Sequence, residues 1–244
     1  MRLGLSQGLS TGGFVPSESA ILTKLGITPR IAVSMTRKLV GSYSGDFYAT
    51  TGSGPVEVTT IYDQSGNGTN LTSNGTSAAT LSGSGDSARA VFASSGYTTF
   101  TTGVLGSNFA AGTYDIFIVF DPISTNKQFL FSRGGTGSDR IAMNTGSQST
   151  SDVFSGVTRG DVRVNDSVLS PQTRGALYTA ATVAGTNVIS VEDLDLNTMG
   201  GTPMIGNDNT TWRAEGDFAE FIVTPSLSDA DHTAIVTNIR DFYS

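Results

Sequence analysis

Apolar positions in this chain recur mostly at every second residue, in short runs. Val56-Glu57-Val58-Thr59-Thr60-Ile61-Tyr62 alternates as a strand with one covered face does. Ala88–Phe92, Tyr97–Thr101, Gln128–Ser132, Arg140–Met143, Asp161–Val164, Asn187–Val191 and Asp217–Val223 read as further strands between clusters of Gly, Asn, Asp and Ser. Tyr114–Phe120 differs, because Ile116-Phe117-Ile118-Val119-Phe120 is uninterrupted. That run predicts a central strand covered on both faces. The period changes to 3.6 at the end of the chain. Ser228-Asp229-Ala230-Asp231 has the form of a capping box, and Ile235, Val236, Ile239 and Phe242 follow at helical spacing. A helix over 228–242 is predicted, with those four side chains packed on the strands. Weaker helical signals cover Ala20–Gly26, Thr36–Tyr43 and Thr173–Ala184.

Many short strands, regular turns and one terminal helix predict an all-β, two-sheet antiparallel β-sandwich over residues 31–244. Residues 1–30 stand apart as an N-terminal arm. Its first 19 residues set Leu3, Leu5, Leu9 and Phe14 among Gly4, Gly8, Gly12 and Gly13. Ordering so many glycines is entropically costly, yet exposing four large apolar side chains is unusual for a free tail. The arm is therefore expected to pack on a neighbouring copy or another protein. A homo-oligomer is expected, with a trimer favoured.

Composition sharpens this picture. Ser, Thr and Gly fill 93 of 244 positions, which suits turns and strands and argues against a helical bundle. Thirteen Phe and seven Tyr provide a core, so disorder is not expected. The net charge is −7, with only 14 scattered Lys and Arg, so a nucleic-acid partner is not expected. No apolar run approaches the length of a membrane helix, and the first residues lack the apolar core of a secretory signal. There is no Cys and a single His, His232. Thiol chemistry, a Ser-His-Asp triad and a transition-metal site are not expected, and His232 reads as a solvated helix residue. No cofactor is called for. Ca2+ stays open through Asp and backbone oxygens, for example around Asp193, Asp195 and Asn197, but the spacing is not that of a Ca2+ loop.

Two groups could contact a glycan. Trp212, the sole Trp, follows Asn207-Asp208-Asn209, and an indole beside such a loop can stack on a sugar while the polar groups bind hydroxyls. Asp63 opens the turn Asp63-Gln64-Ser65-Gly66-Asn67-Gly68 and reads first as a cap of that turn, second as a sugar ligand. Glycoside hydrolysis would need two carboxylates flanking the bond. The weak candidates are Asp217 and Glu220, in Glu215-Gly216-Asp217-Phe218-Ala219-Glu220. Strict alternation puts Glu215 and Asp217 on one face and Glu220 on the other unless a bulge intervenes. No catalytic constellation is therefore expected.

Four segments, in order, resemble a known family. Ile61-Tyr62-Asp63-Gln64-Ser65-Gly66-Asn67-Gly68 with Leu71 and Thr72 is similar to the YDQSGNG signature of concanavalin A-like (laminin-G-like) domains encoded by phages and prophages. Arg37–Gly45 resembles the segment that precedes it there. Phe117–Phe120 with Leu130–Gly134, and Gly216–Val223 followed by Leu227-Ser228, resemble later segments. The resemblance implies a virion protein, in a tail or on a capsid surface, that binds host-surface glycans or decorates the particle beside other virion proteins. The same YDQSG run also resembles fungal arabinofuranosidases of this sandwich fold. That implies the rival reading, a glycoside hydrolase or lyase acting on polysaccharide.

Overall fold

The computed structural model describes residues 20–52, 55–73, 79–92, 100–102, 112–122, 128–133, 140–154, 159–183, 185–196, 203–206 and 214–244. Of the predicted arm over 1–30, residues 1–19 lie outside them, whereas Ile21 and Leu22 are buried in the fold rather than standing apart. In chain order the strands are β1 (Ile31–Ser34), β2 (Tyr48–Thr51), β3 (Glu57–Ile61), β4 (Leu71–Ser73), β5 (Ala79–Ser82), β6 (Arg89–Phe92), β7 (Phe100–Thr102), β8 (Tyr114–Pro122), β9 (Gln128–Arg133), β10 (Arg140–Met143), β11 (Val162–Val164), β12 (Ser167–Val168), β13 (Val188–Leu194), β14 (Pro203–Ile205) and β15 (Gly216–Pro225). The helices are α1 (Ile21–Lys24), α2 (Arg174–Ala181) and α3 (Asp229–Tyr243).

The strands form an antiparallel ladder in the order β10-β9-β14-β7-β4-β3-β5-β6-β15-β8-β13-β11-β12, with β1 also on β15 and β2 on β3. The ladder folds over on itself. Phe131 of β9 and Phe221 of β15 lie far apart in ladder order, yet their rings stack with centroids 5.4 Å apart. The predicted β-sandwich is therefore what the chain forms, with β5 joining the two layers through pairings to β3 and β6. Between the layers Phe92, Phe120, Phe218 and Phe221 are buried with Ile116, Ile118 and Val223. The run Tyr114–Phe120 is buried throughout, flanked by β15 and β13, as its pattern predicts.

The outer face of β8 and β15 is covered as well. Phe117, Val119 and Ile222 pack under α1 and α3 through Leu22, Ile235, Val236 and Ile239. Each such side chain, fully buried, contributes about 1.5–3 kcal/mol. Ser228 caps α3 by accepting from Asp231 N–H, and Asp229 and Asp231 complement the helix dipole.

Two expectations are corrected. Thr36–Tyr43 is a chain of bends, not a helix. Its backbone groups are taken by side chains: Ser34 Oγ accepts from Thr36 and Arg37 N–H, and Gln64 accepts from Leu39 N–H and donates to the Arg37 carbonyl. Phe242 is only half-buried, its ring lying under the Arg37 guanidinium at 4.9 Å. His232 takes the place in the core stripe that Phe242 was expected to hold.

Candidate functional site

The turn after β3 works as a structural hub. Asp63 Oδ1 accepts from Ala32 and Ser65 N–H, and Oδ2 accepts from Ser65 Oγ and Thr69 N–H. Both oxygens of the buried Asp63 side chain are thus committed, in the capping role read first from the sequence. Asn67 donates to the Pro29 and Arg30 carbonyls. The segment thus ties the turn to β1 and to the residues just ahead of it.

β15 carries a bulge between Phe218 and Glu220. The bulge turns Glu220 outward with Asp217, against the expectation from strict alternation. Glu220 is fully buried there. Its carboxylate accepts from Arg37 Nε at 2.5 Å and Nη2 at 3.0 Å, from Tyr243 OH at 2.8 Å and from Ser34 Oγ at 3.1 Å. Glu220 is saturated and cannot serve as the catalytic partner of Asp217.

Asp217 has a different neighbour, which the sequence reading missed. It pairs directly across the ladder with Asp121 at the end of β8. Cross-strand partners of this kind have Cβ atoms about 4.5–5.5 Å apart on one face. Burial raises the pKa of Asp121 above its ordinary value, the Asp217 charge adds to this, and hydrogen bonds from Asn187 with the positive charge of Arg89 oppose it. Asp121 N-terminal to Pro122 reads in the sequence as a strand end. Only the pairing of β8 with β15, 96 positions on in register, brings it beside Asp217.

Asp121 borders a cleft of about 380 Å3, lined further by Thr182, Val183, Thr186, Asn187 and the Tyr243 ring. Asp217 stands one strand away, on the side of β8 opposite the 183–187 turn. The Tyr243 ring is fixed: Arg89 lies 4.4 Å over it and Thr36 Oγ1 and Glu220 hold its hydroxyl.

A second polar cluster lies beneath α3. His232 is buried, contrary to the solvated role expected of it. Its Nε2 lies 3.0 Å from Ser190 Oγ and its Nδ1 3.3 Å from Asp166 Oδ1. Asn165 and Asp166 form the two-residue β11–β12 turn, both with positive φ, which aims Asp166 at the helix. A single His thus suffices for a Ser-His-Asp chain, against expectation. With Ser190 and His232 each 1% exposed, the chain holds α3 to β13 and gives a substrate no access. Arg163 completes the cluster, 2.6 Å from Glu192 as an ion pair that is not an aligned hydrogen bond.

Among the described residues no group of three His, Asp or Glu could hold a metal ion, and no helix is long and apolar enough to cross a membrane. Asn207, Asp208, Asn209 and Trp212 lie outside the described residues, as does Asn197.

No family model matches the chain, and no curated protein matches it. Solved structures do. An arabinofuranosidase complexed with arabinofuranosyl-α-1,2-xylobiose superposes with a TM-score of 0.57 at 17% identity, over 93% of this chain and 65% of that one. A GH54 α-L-arabinofuranosidase variant soaked with 4-nitrophenyl α-L-arabinofuranoside gives 0.56 at 16% identity and the same coverage. The chain shares the β-sandwich fold of these glycosidases and spans 65% of their length.

Proposed function

We propose that this chain acts on polysaccharide, as a glycoside hydrolase whose carboxylate pair is Asp121 and Asp217. The observation that carries the reading is their cross-strand pairing beside the Tyr243 cleft, with Asp121 pushed toward its protonated form. Two carboxyls in unlike environments divide the work of such a reaction. Asp121 supplies the proton to the leaving oxygen, and Asp217 attacks the sugar. Their direct cross-strand pairing places the two side chains as neighbours on one face of the sheet, the closeness that double displacement requires of its two carboxyls. Sharing a sandwich with arabinofuranosidases supports a carbohydrate substrate.

The test is reducing-sugar release by the purified chain from a panel of aryl glycosides and polysaccharides. Asp121→Asn and Asp217→Asn should each lower turnover by about 100-fold or more while the protein stays folded. Turnover that survives both substitutions overturns the reading.

A second reading is a non-catalytic glycan-binding or decoration protein of a phage virion, assembled in several copies beside other virion proteins. The observation favouring it is that Asp63 and Glu220, two of the three acidic residues of the family-like segments, are both consumed internally. Its test is glycan binding without hydrolysis together with detection of the chain in purified particles by mass spectrometry; absence from particles would overturn it.

A further inference from the structure

The cleft at Asp121 does not end at Tyr243. A second cavity of about 560 Å3 adjoins it, and the two share Val183, Gly185, Thr186 and Tyr243 in their walls. They are the two arms of one groove, with these four residues at their junction. The far arm is lined by Asn165 and by the stripe Thr237, Arg240 and Asp241 of α3, at the i, i+3, i+4 spacing that shares one helix face. This lining sets hydroxyl, amide, guanidinium and carboxylate groups beside the apolar surface of Val183 and Tyr243, a mixture that matches the hydroxyls and the C–H faces of a sugar.

We infer that the far arm is a binding subsite for a second saccharide unit, so that the groove takes a neutral oligosaccharide or polysaccharide chain rather than a monosaccharide. The inference rests on the carbohydrate reading above and adds the length and charge of the ligand. Its volume accepts a sugar ring with room for water-mediated contacts. Charge points to a neutral chain: the far arm sets the Asp241 carboxylate beside the Arg240 guanidinium, so it offers a polyanion no net positive charge. The junction is rigid at Tyr243, since its hydroxyl is held by Thr36 and Glu220 and its ring by Arg89. Two units bound on either side of it would keep a fixed separation, which favours a chain of defined linkage.

The experiment is calorimetric titration of the full chain with neutral xylo-, arabino-, gluco- and galacto-oligosaccharides of one to four units. The ratio of trisaccharide to monosaccharide affinity should be about tenfold or greater for at least one series, the gain of one added subsite. In Thr237→Ala/Arg240→Ala that ratio should fall toward one. Both residues are exposed, and a second variant, Thr237→Trp, fills the arm and should have the same effect. A ratio near one in the unaltered chain, or a ratio unchanged in both variants, overturns the second subsite while leaving carbohydrate binding standing. Absence of binding by every member at millimolar concentration overturns the carbohydrate reading and the subsite with it.

Discussion

Arg37 and Glu220, 183 positions apart, meet in a two-pronged ion pair with both side chains essentially out of solvent. The pair locks the bends after β1 to the bulge of β15, and Tyr243 seals it from α3. A buried pair is not by itself a large net stabiliser, but breaking one leaves an unpaired charge in a low-dielectric site. Arg37→Met should therefore destabilise the fold by about 3–5 kcal/mol. Adding Glu220→Gln should recover part of that loss. Urea unfolding measures both, and a single variant as stable as the parent would contradict the role given to the pair.

Asp63→Ala removes the acceptor for three backbone N–H groups and one hydroxyl. Each buried donor left unsatisfied costs about 1–3 kcal/mol, so the variant should lose several kcal/mol of stability. Any loss of glycan binding in Asp63→Ala should track its loss of structure by circular dichroism. A folded Asp63→Ala with lost binding would instead make Asp63 a ligand residue.

Gly216 opens β15 beside the Asp121–Asp217 pair. A Cβ there would sit 2.2 Å from the Asp121 carbonyl oxygen, so β8 and β15 can approach only because this residue has no side chain. Gly216→Ala should cost about 1–3 kcal/mol by overpacking. It should also lower hydrolysis more than binding, because it spreads the two carboxylates. Melting temperature and turnover, measured together, check this.

Burial holds the pKa of His232 below its ordinary value, opposed by Glu192 and Asp166 and reinforced by Arg163. The folded state thus favours the neutral ring. That stability is fully present above the unfolded value near 6.5 and is lost as pH falls through the lower folded value. Acidification from pH 7.5 to 5 should lower the melting temperature of the parent more than that of His232→Gln. A difference of about 2–4 °C corresponds to 1 kcal/mol at this chain length. Asp115 acts in the opposite sense: burial raises it to about 6, so its ionisation weakens the fold as pH rises from about 4 to 6. Comparison of parent and variant cancels that common term, and identical pH profiles would refute the role of His232.

Local chemistry determined much of this protein directly. Alternation and the run at Tyr114–Phe120 specify strands and a doubly covered centre, because the side-chain period follows from backbone geometry alone. Ser228 and the spacing of Ile235, Val236 and Ile239 specify α3. Asp63 with its glycines specifies a capped turn, since the donors from Ser65 and Thr69 lie within a few residues, whereas the bond from Ala32 N–H, 31 positions back, was set by the fold. The same pattern could have placed His232 in the buried stripe, as it stands one turn before Val236. Pairing across the ladder was decided only by the tertiary structure. One bulge moved Glu220 to the other face and into the reach of Arg37, and β8 met β15 so that Asp121 came beside Asp217. Neither contact leaves a local signature, because each depends on register between strands about a hundred or more positions apart, where a one-residue slip exchanges the faces.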